Sequence, residues 1–279
     1  MRWRDQRQSS NIEDRRGLSG KSIAIGGGGL GTVIIIILAL LCGGDPRALL
    51  EQTQVEQPAQ QQTQSAPKND EARAFTASVL GSTEDAWRDV FRRSGAQYHE
   101  PKLVLFDREV RSACGVAGSS TGPFYCPGDE KLYLDTAFFR ELKTEFKAPG
   151  DFAEAYVIAH EVGHHVQNLL GTMDKVSQAQ SRGSQTQANQ LSVRLELQAD
   201  CFAGIWAKYA QAKGLLETGD IEEALRAASA VGDDQIQRRA QGYVVPESFT
   251  HGSARDRMNW FSQGFKTGDV RQCNTFGGR

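Results

Sequence analysis

The sequence predicts an α+β fold: one mainly helical domain with a small sheet, preceded by a single transmembrane helix. Three observations carry this. Residues 22–44 form an uncharged run of 23 residues, the length of one bilayer crossing. Short apolar, strand-like stretches come early in the remainder, at 103–106 and 131–134, and most of the later chain has helical patterning. Strands ahead of helices, without βαβ alternation, favour α+β over a doubly wound sheet.

The membrane segment rests on its contents and its flank. It includes Val33, Ile34, Ile35, Ile36, Ile37, Leu38, Leu40 and Leu41. Residues 1–21 carry Arg2, Arg4, Arg7, Arg15, Arg16 and Lys21 against Asp5, Glu13 and Asp14, six positive charges to three negative. A basic flank stays cytoplasmic, so residues 1–21 are expected inside and the bulk of the chain outside, in a single-pass protein. A cleaved signal peptide fits less well, because its apolar core is typically ~7–15 residues. Lipoprotein processing at Cys42 is disfavoured by Leu41 before it. Gly26, Gly28 and Gly31 match a dinucleotide-binding G-x-G-x-x-G, but that fingerprint needs a strand–turn–helix setting, and here a membrane-length apolar run comes next. Glycines within a span are the better account.

Residues 45–70 read as a disordered Gln-rich linker, with Gln52, Gln54, Gln57, Gln60, Gln61, Gln62 and Gln64 and little to bury. The folded domain is expected over 71–279. A helical region at 72–93 has an expected break near Gly81. A helix follows Pro149 and Gly150, with Asp151 as its cap and Gly171 as its end; a second long helix runs over about 189–213 and a shorter one over about 220–231. Ser253 with Asp256 resembles a capping box for a final helix. The net charge of −2 gives no reason to expect nucleic acid as a partner. Apart from Cys42, four cysteines remain, Cys114, Cys126, Cys201 and Cys273; an even set in an exported domain suggests disulfides. A bridge between Cys114 and Cys126 can close the Gly/Ser-rich loop between them, which leaves Cys201 with Cys273, a pairing that sequence alone does not settle.

The chemistry concentrates in Ala159-His160-Glu161-Val162-Gly163-His164-His165. The chain has five histidines, and three lie here. Residues four apart share a helix face, so His160 and His164 can point at one metal ion, with Glu161 beside it as a base for a metal-activated water. Neutral imidazoles suit zinc. His165, rotated about 100° from His164, is expected to miss the metal and to play a structural part. Catalytic zinc takes three protein ligands. The third is expected to be Glu196, in Leu195-Glu196-Leu197-Gln198-Ala199-Asp200, with Asp200 four residues on and able to hold a ligand histidine through its outer N–H. A solvated acidic pair is the bland alternative, disfavoured by the apolar neighbours Leu191, Leu195, Cys201 and Phe202.

With these residues in view, the chain resembles the bacterial putative neutral zinc metallopeptidase family, membrane-anchored zincin-like proteins. The likeness covers Met1-Arg2-Trp3-Arg4, residues 11–17, the apolar segment, Cys114 through Gly122-Pro123-Phe124-Tyr125-Cys126, residues 155–161, Glu196 to Trp206, His251-Gly252-Ser253 and Asn274-Thr275-Phe276. It implies a zincin-like domain holding one zinc ion per chain and cleaving peptide or protein substrates. H-E-x-x-H with E-x-x-x-D is also similar to the thermolysin-like pattern. The mechanism implied has Glu161 taking the proton of the zinc-activated water, with His251 as the expected donor to the oxyanion; the plainer role for His251 is a hydrogen bond to its own loop. Arg255 and Arg257 are expected as surface residues in salt bridges. The edge near 122–125 or 131–134 can receive an extended peptide by strand addition, and core packing accounts for Phe124 and Tyr125 equally well. Two other readings stand beside this one: a zinc domain that binds partners without hydrolysis, and a zinc hydrolase for other substrates.

Overall fold

Glu71–Arg93 forms one helix, α1, capped by Asp70, whose side chain accepts from the Arg73 amide. The computed structural model describes residues 1–17 and 70–277. The expected membrane helix at 22–44 lies outside the described residues, and so does the expected linker apart from Asp70. Among the described residues no helix is long and apolar enough to cross a membrane.

Gly81 does not break α1. A Cβ there would lie 2.7 Å from the Arg7 carbonyl oxygen, so the glycine admits a second stretch of backbone against the helix. That stretch is the N-terminal segment. The sequence sets residues 1–21 apart and begins the domain at 71, but Met1–Arg16 and Asp70–Arg279 form one compact unit. The reason is physical. Met1 and Trp3 are buried, and the Trp3 ring meets Phe75 edge-on with centroids 5.4 Å apart. The Glu84 carboxylate is 1% exposed and takes its compensation from this segment: Arg7 donates at 2.9 Å, the Ser9 hydroxyl at 2.5 Å and the Asn11 amide at 2.8 Å.

The segment continues as strand β1, Ile12–Asp14. Together with β2 (Lys102–Phe106), β5 (Phe124–Cys126) and β6 (Lys131–Asp135) it makes a four-stranded sheet in the order β1-β2-β6-β5. β1 and β6 both pair with β2 in parallel; β5 pairs with β6 antiparallel and forms one edge. A separate hairpin joins β3 (Glu109–Ser112) to β4 (Gly115–Gly118). The Cys114–Cys126 disulfide ties that hairpin to β5.

Helices make up the rest: α2 (Ala137–Thr144), α3 (Asp151–Leu169), α4 (Thr172–Gln180), α5 (Gln185–Ala212), α6 (Asp220–Ala230), α7 (Asp233–Gln241) and α8 (Ala254–Thr267). The α+β expectation holds. Gly150, not Asp151, is the cap of α3. α5 begins before the expected position because Ser184 and Gln187 form a complete capping box. Ser253 caps α8 by accepting from the Asp256 amide, as the sequence suggests. Phe152, Tyr156, Phe202, Trp206 and Phe261, from α3, α5 and α8, are fully buried together, and the second disulfide, Cys201–Cys273, fastens the C-terminal turn to α5.

In a helix interior, replacing glycine by alanine ordinarily stabilises by roughly 0.5–1 kcal/mol. At Gly81 the opposite sign is expected: the added methyl meets the Arg7 carbonyl, and such overpacking costs on the order of 1–3 kcal/mol. Urea unfolding of full-length Gly81→Ala measures it. A stabilised variant would show that the N-terminal segment does not press on α1.

Candidate metal centre

α3 is buried along almost its whole length, from Phe152 to Gln167, which is why its sequence is apolar nearly all round. His160 and His164 lie one turn apart on the side that faces α5. Gly163 between them lets α5 approach: a Cβ there would lie 3.0 Å from the Ala199 carbonyl oxygen. This contact brings Glu196 to the two imidazoles. Its carboxylate oxygens stand 3.1 Å from His160 Nε2 and 3.3 Å from His164 Nε2. One ligand atom from each of His160, His164 and Glu196 can be chosen so that all lie within 4.8 Å of one another.

The other ring nitrogens are taken. His160 Nδ1 donates to Asp200 Oδ1 at 2.9 Å, and His164 Nδ1 donates to the Gln167 side-chain oxygen at 2.9 Å. Both Nε2 atoms are thereby left facing Glu196, as an outer hydrogen bond to each ligand imidazole requires. Burial alone would push the His160 pKa down, but the Asp200 charge and the hydrogen bonds that Asp200 and Glu196 accept carry it up to about 10. Burial likewise opposes protonation of His164, and Glu196 overcomes it. Glu196 is held well below its ordinary value by the two imidazoles, against the effect of its burial. Two imidazole nitrogens with one carboxylate, their ligand atoms this close together, are a zinc set. The donor set fits the metal.

Asp200 is completely buried and serves four donors. Besides His160, it accepts from the Tyr156 hydroxyl at 2.5 Å, from Arg257 Nε at 2.9 Å and from Arg257 Nη2 at 3.0 Å. Arg257 is 3% exposed, which corrects the expectation of a surface residue; Arg255 is exposed as expected. The sequence held a signal for this. Ala254, Arg257, Phe261 and Gly264 recur at helical spacing, and that stripe is the buried face of α8. Gln167 was not singled out either. Fully buried, it donates to the Leu195 carbonyl at 2.7 Å and to the Gln198 side chain at 3.2 Å, so the oxygen that holds His164 is fixed in direction. Its signal is its place three residues after His164.

His165 points away from the cluster. It donates to the His99 carbonyl at 2.7 Å and sits 3.2 Å from the Tyr125 hydroxyl, tying α3 to β5. Glu161 is 9% exposed and lines a cavity of about 730 Å³ shared with His160, His164, Glu196, His251 and Arg257. Burial raises its pKa, against the pull of His164 and His160. His251 lies on the same cavity with a half-exposed side chain, outside the ligand cluster. Asp233, at the start of α7, arranges its loop, accepting from the amides of Thr250, His251 and Gly252 at 2.7, 2.6 and 2.9 Å. The His251 ring is 3.2 Å from Asp233, and that hydrogen bond raises its pKa above the ordinary value despite partial burial.

A family model described as putative neutral zinc metallopeptidase matches residues 1–276. The uncharacterized protein YpfJ of Escherichia coli K12 is 49% identical over 286 residues, covering 99% of each chain. The uncharacterized protein Rv2575 of Mycobacterium tuberculosis H37Rv is 42% identical over 257 residues, covering 85% of each. No solved structure gives a significant match.

Arg257 depends on Asp200 for its charge balance. In zinc-free protein, Asp200→Asn is expected to lower stability by about 3–5 kcal/mol, the usual loss when one partner of a buried ion pair is removed. Denaturant unfolding reads this directly. An unchanged midpoint would mean that Asp200 and Arg257 do not form the pair described.

Proposed function

This chain belongs to the putative neutral zinc metallopeptidase family, and on that premise we propose that it is a zinc-dependent endopeptidase with Glu161 as its general base. One observation carries the proposal: Glu161 lines the same cavity as the converging nitrogens of His160 and His164 and the carboxylate of Glu196. In this reading those three side chains hold one zinc ion, in a zincin-like arrangement of two histidines on one helix and a glutamate on the next. A zinc ion so held supplies Lewis acidity, acidifying water and polarising a carbonyl.

The rest of the chemistry belongs to the chain. Glu161 takes the proton of the attacking water and passes it to the leaving amine. Its raised pKa suits both halves of that task, because a base nearer to neutrality is also a usable acid. Asp200 and Gln167 hold the two imidazoles in the tautomer that presents Nε2. His251, drawn toward its charged form by Asp233, is the donor on the cavity for negative charge that builds on the substrate oxygen. The uncharged run 22–44 supports attachment of the enzyme to a membrane.

The second reading is a zinc-holding domain that binds partners without hydrolysis. A carboxylate in the place of Glu161 has no use in metal binding alone, and it is costly to bury. That favours the enzyme.

Glu161→Gln is expected to keep zinc and the unfolding midpoint while lowering hydrolysis by on the order of 10²–10⁴-fold. Elemental analysis, thermal unfolding and mass-spectrometric counting of new peptide ends in a treated lysate test the three parts. Wild-type cleavage by the variant would exclude Glu161 as the base.

A further inference from the structure

We infer that the cleft selects peptides by a bulky apolar side chain seated beside Glu161, a specificity that rests on the peptidase reading above. The cavity that holds Glu161 continues along α3 to Val157, one turn earlier on the same helix face. Phe138 of α2 and Phe146 beyond its end wall this part, with ring centroids 5.9 Å apart. The Gly122 backbone, which also lines the cavity, packs near Phe138: a Cβ there would lie 3.7 Å from the ring. Ile236 of α7 lines the same cavity and is 37% exposed although it is a large apolar residue. Among the described residues the other strongly exposed large apolar side chains are Val116, Leu170 and Tyr243, and none of these lines the cavity.

Phe138 and Val157 are buried, so the open apolar surface here is that of Ile236 and the half-buried Phe146, and it gains from a partner that covers it. The apolar lining, not charge, narrows the choice: Glu141, Glu161 and Glu196 line the cavity, but so do Arg257 and His251, and the Arg239 guanidinium lies 5.1 Å from the Phe146 ring. The occupant is therefore a Leu-, Ile-, Met- or Phe-like side chain next to the scissile bond.

The test is cleavage of a proteome-derived peptide mixture by purified full-length enzyme in detergent, read by mass spectrometry. One position flanking the cut bond should be enriched in large apolar residues. A matched pair of peptides carrying Leu or Ala there should differ in kcat/KM by about tenfold or more. Ile236→Asp should raise KM for the Leu peptide with kcat held, since Ile236 is neither the base nor one of the three residues of the ligand cluster. Cleavage without any apolar preference would overturn the subsite and leave the peptidase intact. No cleavage of any peptide by the wild type would instead overturn the reading on which the subsite rests.

A separate observation carries a second inference. The geometry points to residues 1–16 and the domain from Asp70 onward lying on the same side of any membrane that the 22–44 segment enters. The contacts between them are intimate. Leu103 N–H donates to the Asn11 carbonyl and Arg15 N–H to the Leu105 carbonyl, each at 2.8 Å, and Ser9 N–H donates to Ala77 of α1 at 2.9 Å. A single crossing would put about 30 Å of hydrocarbon between these partners. It would also open the edge of β2 and strand the buried Glu84 carboxylate. On this inference the expected topology, with the N-terminus inside and the domain outside, gives way to one that keeps both on the same side.

Single cysteines at Arg4 and Val116 test it, in a chain with Cys42→Ser. Both native side chains are exposed, at 70% and 59%, on the two parts in question. A membrane-impermeant maleimide applied to intact protoplasts should label both cysteines or neither, and both after lysis. Labelling of one in intact protoplasts, with the other reached only after lysis, would overturn the shared side.

Discussion

The Asp200 carboxylate joins three helices at one point. It receives the His160 imidazole and the Tyr156 hydroxyl from α3 and the Arg257 guanidinium from α8, while itself belonging to α5. With no exposure to water, that carboxylate is tolerable only when all its donors are present. The direction of His160, the angle at which α8 lies against α5, and the position of Glu196 one turn away are thus set by the same group. Gly163 makes the arrangement possible by letting the α5 backbone come within contact of α3.

The two imidazoles are held in unlike ways. His160 leans on a charged carboxylate that is balanced by an arginine. His164 leans on a neutral amide, Gln167, whose own hydrogens go to the Leu195 carbonyl and Gln198. Gln198 in turn donates to the Cys273 carbonyl, next to the disulfide that anchors the C-terminal turn. The turn at Cys273 therefore bears on the cluster of His160, His164 and Glu196 through a short run of hydrogen bonds, although Cys273 does not line the cavity.

Much of the centre was legible because helical spacing is simple. Four-residue intervals put His160 with His164 and Glu196 with Asp200, and the chemistry of the side chains did the rest. The structure brings all four together, and it turns His165 away as the 100° step requires. Arg257 was missed because an arginine is usually solvated, and only the apolar stripe on α8 betrays it. α2, α4 and α7 were missed because helices this short carry too few turns for a periodic signal. The N-terminal segment was legible only in part. Its arginines read as a membrane flank, and no local pattern reveals that Arg7 and Arg16 also have partners far along the chain, in Glu84 and Asp70.

The pairing of β1 with β2 also bears on how the molecule comes to be folded. Ile12 meets Leu103 in the sheet, a separation of 91 positions along the chain. Contacts that distant close large loops and form late. During synthesis, then, residues 3–14 must wait unpaired until α1 and β2 exist to receive them. Trp3 and Ile12 spend that interval exposed, so the nascent chain carries a sticky segment until those two elements cover it.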